Sequence, residues 1–225
     1  MSSYEIRKIN DHLTLVHGPE LWILDTGSPA SFGAKSELSI AGDLYPISRS
    51  YMGFGSEKLS ESLGEEVTGL IGGDILSHYD TEWNLVDGSL QVSKHESNAS
   101  GIEIPLGFFM GVPTLTLNVT GEEQKWFFDT GAVISYAAEQ SDLWGNPTDS
   151  FDDFYPGFGK FSTDVFDVEI HLLGKPQTIK CGVLPGLLGM SLAMGGCSGI
   201  LGLQALDLGS FVYAPRRKKL IKNAG

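Results

Sequence analysis

Along much of the chain, apolar and polar residues alternate with the two-residue period of a β-strand. The alternation runs through "YEIRKI" (4–9), "LTLV" (13–16), "TLTLNV" (114–119), "KWFF" (125–128) and "DVEIHLL" (167–173). These segments are rich in β-branched or aromatic residues and lie between turn signals, so they predict strands. Helix is expected only as short pieces after glycine motifs, as in "GGDILSHY" (72–79). An all-β chain follows, and its 29 glycines favour many turns.

Two apolar runs break the alternation by ending on an acid. "LWILDTGSPASFG" (21–33) reaches Asp25, and "KWFFDTGAVISYA" (125–137) reaches Asp129 with the same Asp-Thr-Gly grammar. Each is followed later by Gly-apolar-apolar-Gly, in "GLIGG" from Gly69 and "GILGL" from Gly199, and then by a closing strand. The chain is therefore an internal repeat. Asp25 and Asp129 are 104 positions apart and Gly69 and Gly199 are 130 apart, so the second copy holds about 26 more residues in between. The hairpin pattern of 36–50 matches that of 167–181, with Gly42 against Gly174, which places the insertion between about 138 and 167. Rich in aromatics, acids and glycine, the insertion reads as an extended hairpin or a loop. The polar stretch 93–101 reads as the linker, dividing the chain into 1–97 and 98–225.

One Asp-Thr-Gly is weak; an acid in a turn commonly bonds nearby backbone N–H groups. Two copies in matched settings are specific, and with them the chain resembles the aspartic peptidases of the pepsin and retropepsin group. In size it is similar to two retropepsin-like subunits fused. The resemblance covers both halves and implies a pepsin-like acid-protease fold, two related β-barrel-like lobes around a central cleft. It implies that Asp25 and Asp129 meet at the cleft floor, share one proton and activate a water for peptide hydrolysis. Thr26 and Thr130 would then bond across the two loops, and Gly27 and Gly131 would let N–H groups approach the carboxylates. Ser28 would donate its hydroxyl to Asp25, which Ala132 cannot do for Asp129; on that asymmetry Asp25 is expected to be the ionised partner. The substrate implied is an extended peptide or protein, and no cofactor is needed. A peptidase-like module that binds an extended peptide or partner protein without cutting is the alternative.

Members of the group close a hairpin flap over the substrate. The insertion is the candidate flap, with Tyr155, Pro156, Gly157, Phe158 and Gly159 at its tip. Pepsins carry one flap on the first lobe and retropepsin dimers carry two, so a flap on the second lobe alone departs from both. "YMGFGS" (51–56), with Tyr51, is the rival.

Charge and composition narrow the partners. The net charge of −13 repels phosphates and sets nucleic acid aside. The basic run "RRKKLIK" (216–222) reads as a solvated edge strand or tail rather than a targeting signal or anionic-surface patch. No apolar run reaches the ~18 residues of a membrane helix. "MSSYEIRKIN" lacks the apolar segment of a secretory signal, so a cytoplasmic monomer is expected, with Cys181 and Cys197 as reduced core thiols. In such a location the sequons at Asn98 and Asn118 carry no sugar. His12, His17, His78, His95 and His171 lack metal spacing, and no metal is expected. "GFGSEK" (53–58) and "GLLGM" (186–190) lack the strand-to-helix setting of a phosphate loop. Trp83, Trp126 and Trp144 are expected to pack in the core or the cleft.

Overall fold

The computed structural model describes residues 1–155, 159–172, 175–206 and 209–223. Strands dominate them, and the alternation drives the packing. Within Gly159–Leu172, for example, Phe166, Val168, Ile170 and Leu172 point into the core while Asp167, Glu169 and His171 face outward.

Strand Ser2–Ile9 turns at Asn10–Asp11, both with positive φ, into His12–His17. That is the backbone twist a two-residue hairpin turn demands. The two strands belong to a ten-stranded sheet. From one edge its order is Gly101–Pro105, Lys219–Asn223, Ser210–Ala214, Asp80–Asn84, Ser89–Ser93, Ser2–Ile9, His12–His17, Glu20–Leu24, Gly69–Ile71 and Phe32–Gly33. A second sheet of eight runs Gly107–Phe109, Val112–Val119, Glu122–Phe128, Gly199–Leu201, Ser135–Ala137, Lys175–Val183, Gly159–Leu172 and Asp149–Tyr155. Three strands from beyond residue 97 thus complete the sheet that the first half begins.

The repeat is structural as well as textual. Glu20–Leu24 runs parallel to Gly69–Ile71 with Trp22 opposite Gly69, and Glu122–Phe128 runs parallel to Gly199–Leu201 with Trp126 opposite Gly199. Both indoles are fully buried. A Cβ on either glycine would come within 2.7 Å of the facing ring, so the first glycine of each Gly-apolar-apolar-Gly makes room for a tryptophan. The second glycine, Gly72 or Gly202, lets the chain press onto the backbone that follows each Asp-Thr-Gly.

Three expectations need correction. Helix is not confined to turns after the glycine motifs: Ser56–Leu63 and Gly186–Met194 are further helices, starting 130 residues apart in matched places. "GFGSEK" therefore runs from the strand Phe54–Gly55 into a helix, and "GLLGM" opens the helix that follows the strand Lys175–Val183, although neither has the G-x-x-x-x-G-K-[ST] spacing of a phosphate loop. The basic run is neither edge nor tail. Lys219–Asn223 lies between Gly101–Pro105 and Ser210–Ala214, and the guanidiniums of Arg216 and Arg217 bind Asp80 at 3.0 and 2.7 Å. The Asp80 carboxylate is fully buried and also accepts the Ser97 N–H at 2.9 Å. Of the tryptophans, Trp83 and Trp126 are fully buried and Trp144 packs partly exposed on Phe166. Cys181 and Cys197 are buried and unpaired. Among the described residues no helix is long and apolar enough to cross a membrane.

Candidate active site

Both Asp-Thr-Gly loops leave their strands in the same way. The Asp25 N–H donates to the Ile71 carbonyl and the Asp129 N–H to that of Leu201, each at 3.0 Å. The loops then interlock. Thr26 Oγ1 donates to the Phe128 carbonyl at 2.9 Å and accepts the Thr130 N–H at 3.0 Å. Thr130 Oγ1 donates to the Leu24 carbonyl at 2.8 Å and accepts the Thr26 N–H at 3.1 Å. Both hydroxyls are buried and every partner is backbone, so the cross fixes one loop against the other. Thr26→Val, nearly isosteric, leaves the Phe128 carbonyl and the Thr130 N–H unpaired. It is expected to cost about 3 kcal/mol, measured by chemical denaturation.

The cross brings the two acids together, close enough for their carboxyl groups to share a hydrogen bond. Each also packs on the other loop's glycine. A Cβ on Gly131 would lie 2.5 Å from Asp25 Cγ, and one on Gly27 would lie closer still to Asp129. The glycines are therefore needed by the opposite carboxylate, as well as for the N–H bonds: Gly131 N donates to Asp129 Oδ1 at 2.8 Å, and Ala132 N does so at 3.3 Å.

Two oxygens that share a hydrogen bond must hold a proton between them. Burial first, and then the charge of Asp129, raises the Asp25 pKa well above the usual carboxylate range. Burial raises Asp129 too, but the hydrogen bond from Asp25 and the N–H groups of Gly131 and Ala132 oppose it. The N–H groups of Ser28 and Gly27 oppose the rise at Asp25 in the same way, so the pair shares its proton and the Ser28 hydroxyl does not supply the asymmetry expected of it. The reason is visible: the Ser28 hydroxyl donates to the Ala30 carbonyl at 2.8 Å, and only its backbone N–H reaches Asp25 Oδ1, also at 2.8 Å.

The insertion forms a hairpin, Asp149–Tyr155 pairing antiparallel with the start of Gly159–Leu172, from Asp149 opposite Val165 to Tyr155 opposite Gly159. Pro156, Gly157 and Phe158 lie outside the described residues, as does Gly174 of the matched hairpin turn. The hairpin reaches the first half, where Phe154 stacks on Phe54 with ring centroids 4.8 Å apart. On the other side the Tyr136 hydroxyl donates to Asp153 Oδ2, tying the hairpin to the strand that follows the second Asp-Thr-Gly. The Tyr155 hydroxyl has its pKa raised by burial and then by the charges of Asp129 and Asp25, so it lies within electrostatic reach of the pair. Tyr51, on the short hairpin of Ser50–Tyr51 and Phe54–Gly55, adds to the same effect.

Three polar residues of this neighbourhood were not singled out by pattern: His12, Tyr136 and Asp153. His12 Nδ1 lies 3.0 Å from the Gly131 carbonyl. Aligning the two hairpins at their turns, Asn10–Asp11 against Met110–Gly111, sets His12 against Val112 and would have exposed the difference. Among the described residues no three His, Cys, Asp or Glu side chains gather as a metal site. No family model matches the chain, and no curated protein matches it in sequence.

Proposed function

We propose that this chain is a single-chain aspartic endopeptidase with a pepsin-like, bilobal arrangement of two related β-lobes around a cleft. The observation that carries the reading is the meeting of Asp25 and Asp129, each packed on the other loop's glycine, where the two threonine-locked loops cross. A water placed between the carboxyls gives one proton to Asp129 as its oxygen attacks the scissile carbonyl, while Asp25 passes its own proton to the carbonyl oxygen. The tetrahedral diol then collapses: a proton moves to the amide nitrogen, the C–N bond breaks, and the carboxyls recover one shared proton. No covalent intermediate forms.

The hairpin 149–165 serves as the flap, excluding water and gripping an extended substrate through backbone bonds, with side chains alternating into pockets. Phe154 against Phe54 and Tyr136 with Asp153 support that role, because together they hold the hairpin across both halves. The reading is tested by incubating the protein with a mixed peptide library between about pH 3 and 7 and sequencing the products. A mimic with a hydroxyl in place of the scissile carbonyl should bind and block cleavage. Tight binding of extended peptides with no new termini at any pH would instead make the protein a silent peptide-binding module.

A further inference from the structure

One side chain of the first half grips the second Asp-Thr-Gly loop, and it is titratable. His12 Nδ1 lies 3.0 Å from the Gly131 carbonyl. A carbonyl oxygen only accepts, so Nδ1 carries a hydrogen, and Nε2 is the position that gains or loses a proton. Gly131 is held on its other sides by the acids. Its N–H donates to Asp129 Oδ1 at 2.8 Å, and its Cα packs so tightly on Asp25 that a Cβ would fall 2.5 Å from Cγ. A single glycine thus touches the imidazole and both carboxyls.

We propose that His12 is a positioning residue for hydrolysis: through the Gly131 carbonyl it sets how the two carboxyls meet, and as an imidazolium it favours an ionised Asp129. The inference rests on the aspartic-peptidase reading. The matched hairpin of the second half carries Val112 at this place, and its Gly111 approaches Pro29 of the first loop, so Asp25 has no histidine at the position that matches His12. The charged groups facing His12 are Asp153 from the flap hairpin, Asp129 from the loop and Asp11 from its own turn. Burial lowers the His12 pKa, while Asp153, the bond to Gly131, Asp129 and Asp11 oppose that. The imidazolium therefore forms on the acid side of the ordinary histidine value. There its charge stabilises the Asp129 carboxylate and extends the working anion to lower pH.

Two variants separate the donor from the charge. His12→Asn offers an amide N–H near the place of Nδ1 but does not ionise; His12→Ala offers neither. With a cleaved library peptide, His12→Ala is expected to lose about 10- to 100-fold in kcat with KM little changed. His12→Asn should regain most of that loss at its optimum, with the acid limb of its pH profile moved upward. Carboxyl NMR titration reads the same upward shift at Asp129 without turnover and needs only folded protein. Wild-type kinetics in His12→Ala, or an Asp129 titration unmoved in His12→Asn, overturns the proposal. A wild type that cleaves nothing while the titration still moves supports the coupling and defeats only the peptidase reading.

Discussion

Asp25→Asn and Asp129→Asn are each expected to lower peptide hydrolysis by about a thousandfold or more, the scale of losing a positioned acid or base. An amide in place of Asp129 cannot take a proton from water, and one in place of Asp25 cannot give a proton to the carbonyl oxygen. The same variants should be more stable than the wild type at neutral pH. Both carboxyls have folded-state pKa values above the unfolded value of about 4, so the folded protein binds more protons than the unfolded chain just above that pH. Stability contributed by this excess is fully present below the unfolded value and is lost as pH rises through the raised ones. Asn carries no such liability. Its advantage in melting temperature should be largest near pH 7 and vanish below about pH 4. Equal melting temperatures at both pH values, or undiminished cleavage by either variant, would contradict the shared-proton arrangement.

The largest loss of stability is expected from Asp80→Ala. The Asp80 carboxylate is completely buried, whereas the side chains of Arg216 and Arg217 are 36% and 21% exposed. Without it, two guanidiniums and the Ser97 N–H lose their common partner in a place that water reaches poorly. Breaking a buried pair in this way costs about 3–5 kcal/mol. For a chain of this size that is a fall in melting temperature of roughly 6–20 °C, readable by calorimetry. Asp80 lies far from the acids in sequence, and its hydrogen-bond partners among the described residues are Arg216, Arg217 and Ser97, so the folded fraction should keep its pH profile.

Why some of this was legible and some was not follows from the range of the interactions. The strands and the two acids could be read because the signals are local and occur twice: Trp22-Ile23-Leu24-Asp25 and Trp126-Phe127-Phe128-Asp129 say the same thing independently. The glycines at 69 and 199 were visible as a motif, but their reason, an indole on the adjacent strand, exists only after folding. Gly186–Met194 is apolar all round and holds two glycines, so it presents no helical stripe. Arg216 and Arg217 read as a solvated run because their partner is more than 130 residues away. His12 was missed for the same reason; Gly131 is 119 positions distant. Ser28 misled because a hydroxyl has several acceptors within reach, and the carbonyl two residues on captured it.

The sheet shared between the beginning and the end of the chain has a consequence for biosynthesis. Asp80–Asn84 finds its outer neighbour only in Ser210–Ala214, some 130 residues later. Until that strand leaves the ribosome, the amino-terminal portion exposes a raw backbone edge, open to pairing with another nascent chain. Maturation should therefore be slow and late, and a chaperone that shields this edge would raise the yield of usable protein more than one that acts after release.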